Sequence, residues 1–174
     1  MAKLRKGVAY RNIERPYTRK SKFRSKNFIA ASPHLKIVHF DMGNKKKKFQ
    51  YTVQLISKND LQIRHNALES ARLSSNRLLE KELGKAGFRL RIKVYPHHIL
   101  RENPLAAGAG ADRMSTGMKK SFGKPIGAAA QVRKGQTIME VFVDKESLRA
   151  ARLALSRALH KLPCSGTITT VQNS

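Results

Sequence analysis

An α+β fold, with elements in the order ββ-α-β-loop-ββ-α, is what this 174-residue chain predicts, and three observations carry it. Apolar and polar residues alternate over 49–56 and 88–95, as half-buried strands require, and 137–143 is rich in strand-forming residues. Apolar residues recur at helical spacing over 61–83 and 148–159, which places two helices against a mixed or antiparallel sheet. Residues 96–125 follow neither period.

The elements follow in order. Residues 1–27 read as a basic N-terminal arm. Arg11, Arg15, Arg19, Lys20, Lys22, Arg24 and Lys26 are interleaved there with Tyr10, Tyr17 and Phe23, and Pro16 interrupts any helix. The segment lacks the apolar surface to offset its ordering entropy alone. It is therefore expected to order along phosphates, with its rings on bases or on the body of the protein. Residues 28–174 read as a single domain. Lys36-Ile37-Val38-His39-Phe40 suits a strand that stops at a Gly43-Asn44 turn, and with 49–56 it predicts a hairpin. Lys45, Lys46, Lys47 and Lys48 would sit at its tip.

Asn59 or Asp60 can cap a helix over 61–83 that ends at Gly84 and Gly87. Arg64, His65, Arg72, Asn76 and Arg77 give it a donor-rich polar face. In the strand 88–95, Phe88, Leu90, Ile92 and Val94 alternate with Arg89, Arg91 and Lys93, so three cations project in a row from one face, about 7 Å apart. Such a row repels itself unless an anion lies on it. Residues 101–125 predict an extended loop, rich in glycine and alanine, that brings backbone close to a partner. Beyond it come strands at 126–132 and 137–143, a helix capped by Asp144 and ended by Pro163, and an edge strand at 167–171.

Thirty-six lysines and arginines against 11 acidic residues leave a net charge of +25. A folded chain so charged repels itself and attracts polyanions. No apolar run approaches the roughly 18 residues of a membrane helix, and the start has no apolar signal core, so neither membrane nor secretion is expected. One cysteine, Cys164, makes neither an internal disulfide nor a zinc site.

Catalytic and cofactor patterns fail in turn. Gly108-Ala109-Gly110 starts like a dinucleotide fingerprint, but Arg113 stands in the place of the third glycine. Gly117–Lys124 imitates a phosphate loop with one residue too many, and Pro125 stands where a Ser or Thr should hold magnesium. Of six histidines only His97 and His98 are neighbours, and adjacent strand side chains diverge. Nothing marks a nucleophile elbow or an activated base. No enzyme, metal or cofactor is expected. The short-oligonucleotide signatures are missing too, and the basic residues are dispersed over arm, hairpin, helix, strand and loop, as suits embedding in a large folded RNA. The rivals are an RNA-modifying enzyme, which would need paired carboxylates or a cofactor pocket, and a nucleoid-type DNA binder, which would take duplex DNA equally well.

Gly108-Ala109-Gly110-Ala111-Asp112-Arg113, Thr116-Gly117-Met118 and Phe122-Gly123-Lys124-Pro125 closely resemble the central loop of the archaeal and eukaryotic L-ten-e ribosomal proteins, counterparts of bacterial large-subunit protein L-sixteen. Ile63–Glu69, Tyr95–Asn103 and Arg15-Pro16-Tyr17-Thr18 extend the likeness over nearly the whole chain, and Arg101-Glu102-Asn103 gives it an archaeal cast. The chain departs from the pattern at Met114-Ser115 and at Ala128–Gln131, where one arginine is missing.

The resemblance implies a hammerhead-type α+β structural protein of the cytoplasmic large subunit. It would be bound to large-subunit rRNA near the base of the central protuberance, with 5S rRNA and other ribosomal proteins nearby, and would not form homo-oligomers. The loop, with Arg101, Gly108, Gly110, Asp112, Arg113, Lys119, Lys120 and Lys124, would face the peptidyl-transferase region and the tRNA acceptor arm.

Overall fold

Alternating burial decides which face of a strand turns inward. A computed structural model, describing residues 5–18, 23, 29, 32–102 and 123–173, shows the outcome. Five strands lie side by side in the order β1 (Asp41–Gly43), β4 (Arg89–Ile92), β7 (Thr137–Val143), β2 (Tyr51–Ser57), β8 (Gly166–Gln172). Three more form a second sheet in the order β3 (Leu61–Arg64), β6 (Lys124–Val132), β5 (His98–Glu102). Neighbours pair antiparallel throughout. The α+β class holds, with the sheet divided in two.

Helix α1 (His65–Leu83) packs on α2 (Leu148–Leu159) and touches β3 and β6, while α2 covers β2, β7 and β8. Ala151, Ala154 and Ala158 of α2 are fully buried, and their short side chains let the helices approach Leu68, Ala71 and Leu79 of α1 closely. Val53, Leu55, Leu90, Met139 and Val141 complete the core from the sheet side. Each such buried aliphatic side chain stabilises the fold by about 1.5–3 kcal/mol. Gly84 ends α1 as expected: its φ of +66° suits glycine, and its N–H donates to the Glu80 carbonyl at 3.1 Å.

Five expectations are corrected. The hairpin of 35–40 with 49–56 does not form. Residues 35–40 carry no strand, β1 pairs with β4, and β2 is flanked on both sides by seven-residue strands, from Tyr51↔Val143 on one side and Tyr51↔Gln172 on the other. Longer ladders complete more backbone hydrogen bonds than a short local partner could.

Leu61–Arg64 is a strand, not the first turn of the helix, because Leu61 and Ile63 share a spacing of two and pair with β6. Neither Asn59 nor Asp60 caps α1, and the Asp60 carboxylate instead accepts the Lys134 backbone N–H at 2.6 Å. Asp144 likewise makes no side-chain cap. Its carboxylate takes Lys47, and a 3-10 turn at Lys145–Ser147 precedes α2. Finally, 96–125 is not wholly irregular, since β5 and the first residues of β6 lie within it.

Candidate nucleic-acid interface

The N-terminal segment straps across the three-stranded sheet and satisfies donors that would otherwise be orphaned. The backbone N–H of Gln62, on the β3 edge, donates to the Arg11 carbonyl at 2.8 Å, and that of Ile99, on the β5 edge, to the Tyr17 carbonyl at 3.2 Å. Between these edges the Gln131 side-chain amide donates to the Glu14 carbonyl at 2.7 Å, and that of Gln62 to the Asn12 carbonyl at 2.7 Å. Arg5 pairs with Glu102 at 3.1 Å. The residues that order this part of the arm therefore belong to the protein's own body, while Arg11 and Arg15 remain exposed. Arg19, Lys20, Lys22, Arg24 and Lys26 lie outside the described residues.

Lys45, Lys46, Lys47 and Lys48 are exposed on the connection from β1 to β2 rather than at a hairpin tip. Asn44 Oδ1 accepts the backbone N–H groups of Lys46 (3.1 Å) and Lys47 (3.2 Å), which turns the chain. Lys47 Nζ reaches Asp144 at 2.7 Å and lies 5.1 Å from the centroid of the Phe49 ring.

The row on β4 is not an unopposed stripe of charge. Arg89 donates twice to Asp41, at 3.0 and 2.8 Å, and this guanidinium holds the Asp41 carboxyl below its usual range. Lys93 lies 3.6 Å from Glu140. Arg91 remains exposed between them, in register with both Asp41 and Glu140. Neighbouring strands thus supply the anions that the strand's own sequence lacks. On α1, Arg72 donates to Glu69 at 2.9 Å and is largely buried by its surroundings, so it is a structural ion pair. Arg64 donates to the Arg5 carbonyl at 3.0 Å and lies over the Tyr10 ring. Arg77 is exposed.

At the other end of the small sheet, Glu102 pairs with Lys124, so the intervening stretch departs and returns at one point. Lys124 is exposed there. Arg101 stacks on the Tyr17 ring, its guanidinium carbon 3.7 Å from the centroid. Its Nη1 is buried without a hydrogen-bond partner among the described residues. Gly108, Gly110, Asp112, Arg113, Lys119 and Lys120 lie outside the described residues.

Two histidines act as hydrogen-bond acceptors, one of them His65, which the sequence placed on a donor-rich face. Buried His98 takes the Tyr17 N–H on Nδ1 at 2.8 Å, and His65 takes the Lys36 N–H on Nδ1 at 3.1 Å. Burial depresses both imidazoles below their ordinary value, and the positive charges of Lys36 and Arg64 add to the effect at His65. The alternation of 88–95, extended to 98, was the available signal, since it turns His97 outward and His98 inward. Among the described residues no group of His, Cys, Asp or Glu could hold a metal ion, and no helix is long and apolar enough to cross a membrane.

Residues 13–169 match the family model of ribosomal protein L16p/L10e. The chain is similar to the "Large ribosomal subunit protein uL16" of Methanococcus maripaludis, 49% identical over 170 residues that cover 97% of this chain and 95% of that one. The protein of that name from Methanospirillum hungatei is 46% identical over 155 residues, 88% of each chain. Its counterpart from Archaeoglobus fulgidus is 44% identical over 154 residues, 88% of this chain and 85% of that one.

Proposed function

This chain belongs to the ribosomal protein L16p/L10e family, and from that premise we propose that it is a structural constituent of the large subunit of the cytoplasmic ribosome, acting by position rather than by catalysis. The relatives named above fit the archaeal cast of Arg101-Glu102-Asn103. The observation that carries the reading is the dispersal of charge. Cations outnumber carboxylates by 25, and exposed ones project from separate elements: Arg11 and Arg15, Lys45 to Lys48, Arg77, Arg91, and Lys124. Charge on several faces suits a protein embedded in folded rRNA, where phosphate contacts fix orientation more than sequence.

The finer placement is part of the same proposal. The body binds large-subunit rRNA near the base of the central protuberance, beside 5S rRNA and neighbouring ribosomal proteins. The stretch between Glu102 and Lys124 extends toward the peptidyl-transferase region and the tRNA acceptor arm. The paired stem of β5 and β6 supports this, because it directs both ends of that stretch from a braced sheet.

Sedimentation of a native extract through sucrose, with and without high salt, tests the central claim. Co-migration with the large subunit after high-salt stripping is the expected result. A peak near the top of the gradient would replace it with a free nucleic-acid binder, and a titration of structured RNA against duplex DNA would then say which kind.

A further inference from the structure

From Arg91 to His98 exposure alternates residue by residue. Arg91, Lys93, Tyr95 and His97 face solvent, while Ile92, Val94, Pro96 and His98 face inward. The outer row therefore changes character along one face, from cations to rings. Phe40, packed against the core, stacks on Tyr95 with ring centroids 5.2 Å apart, and Tyr95 lies 4.6 Å from the His97 imidazole. Backbone bonds hold this ladder rigid: the Ile92 N–H donates to the Phe40 carbonyl at 2.8 Å, and the His97 N–H to the Tyr95 carbonyl at 3.0 Å. A cleft of about 740 Å³ opens beside the rings and is also lined by Thr18, His34 and Val38. Tyr95 is 45% exposed and Val38 66%.

An exposed ring by itself is ordinary on a protein surface. Here a three-ring ladder anchored in the core borders a cleft of ligand-binding size, and among the described residues no carboxylate lines it. Lys36 and Arg91 are exposed nearby in the chain. These cations repel the basic peptides typical of a ribosomal neighbourhood and favour an anionic partner that also presents a flat apolar face. A nucleobase on a phosphate backbone combines both properties, and sequence-tolerant base–ring stacking is how proteins hold unpaired nucleotides. A ladder already in place also lowers the ordering cost of binding.

We propose that Tyr95 and His97, braced by Phe40, receive an unpaired nucleobase of ribosomal RNA in this cleft, with Arg91 toward the adjoining phosphates. The proposal rests on the rRNA-binding reading above and adds a site to it. Thr18 and His34 line the wall where a base edge would lie, and offer it a hydroxyl and an imidazole.

The test uses intact large subunits irradiated with short-wave ultraviolet light, then digested with nuclease and trypsin. Cleavage after Lys93 and Arg101 releases residues 94–101 as one peptide. A nucleotide adduct on that peptide is expected, and its loss in a Tyr95→Leu variant that still co-sediments with the subunit. In parallel, full-length Tyr95→Leu should bind protein-free large-subunit rRNA about ten- to a hundredfold more weakly, and Tyr95→Phe should match the parent chain.

Adducts elsewhere in the chain but none on 94–101, together with unchanged rRNA affinity for Tyr95→Leu, overturn the proposal and leave the ribosomal reading intact. A chemical cross-link from this peptide to another protein's segment overturns it in favour of a protein occupant. Failure of the parent chain to co-sediment with the subunit overturns both readings.

Discussion

The backbone N–H of Tyr17 donates to Nδ1 of His98 across 81 residues of sequence, at 2.8 Å. The acceptor role requires an unprotonated Nδ1, so His98 is neutral with its hydrogen on Nε2. Protonation would set two donors against each other and loosen the strap where it meets β5. Burial is the largest cause of the depressed His98 pKa; Glu14 opposes it and Arg101 reinforces it.

The pH dependence follows. Below the ordinary value of 6.5 the unfolded chain takes up a proton that the native His98 refuses. Stability is therefore flat above that pH, and declines as the pH falls until native His98 itself titrates. His65 contributes with the same sign. Urea midpoints measured between about pH 8 and about pH 5 should show this fall. His98→Asn, which keeps an acceptor without a titration, should make it shallower; an unchanged slope would remove His98 as a cause.

Gly43 holds a φ of +86°, and a Cβ there would run into the Phe88 carbonyl, which also accepts the Asn44 N–H at 2.9 Å. Gly43→Ala should destabilise the chain by more than about 1 kcal/mol, since strain and steric conflict act together. Chemical denaturation measures it.

Phosphate contacts should divide according to who already has a partner. Lys46→Ala and Arg91→Ala should each lower the slope of log K against log salt for rRNA binding by about 1. Lys47→Ala and Arg89→Ala should change that slope less, because Asp144 and Asp41 already engage those cations. Equal effects at all four positions would show that the ion pairs give way on binding.

Leu155, fully buried on α2, joins the helix layer to the five-stranded sheet. Leu155→Ala should cost about 2–5 kcal/mol in unfolding free energy, the range for a large cavity that collapses incompletely. Its rRNA affinity under conditions where it remains folded should be unchanged.

Removing residues 105–112 leaves the Glu102–Lys124 stem in place. Subunit incorporation should persist in the gradient, while tRNA accommodation on purified ribosomes slows. Failed assembly with normal accommodation in the subunits that do form would reverse the role assigned to that stretch.

The elements themselves were largely legible along the chain. The strand Arg89–Ile92 and helix α2 follow from local periodicity, because burial of one face is written into residues two or four apart, while Thr137–Val143 and Gly166–Gln172 are marked by their β-branched and aromatic residues. Leu61 and Ile63 carried the same two-residue spacing, but the helical pattern that follows them concealed it.

What the amino-acid sequence determined unaided was the class of fold and the excess of positive charge. Only the tertiary structure decided which strands pair, that Asp41 meets Arg89 from 48 residues away, and that the arm closes both edges of the small sheet. Periodicity is a relation between neighbours in sequence. Neutralising a charge or completing a sheet edge depends on which distant group arrives, and packing alone settles that.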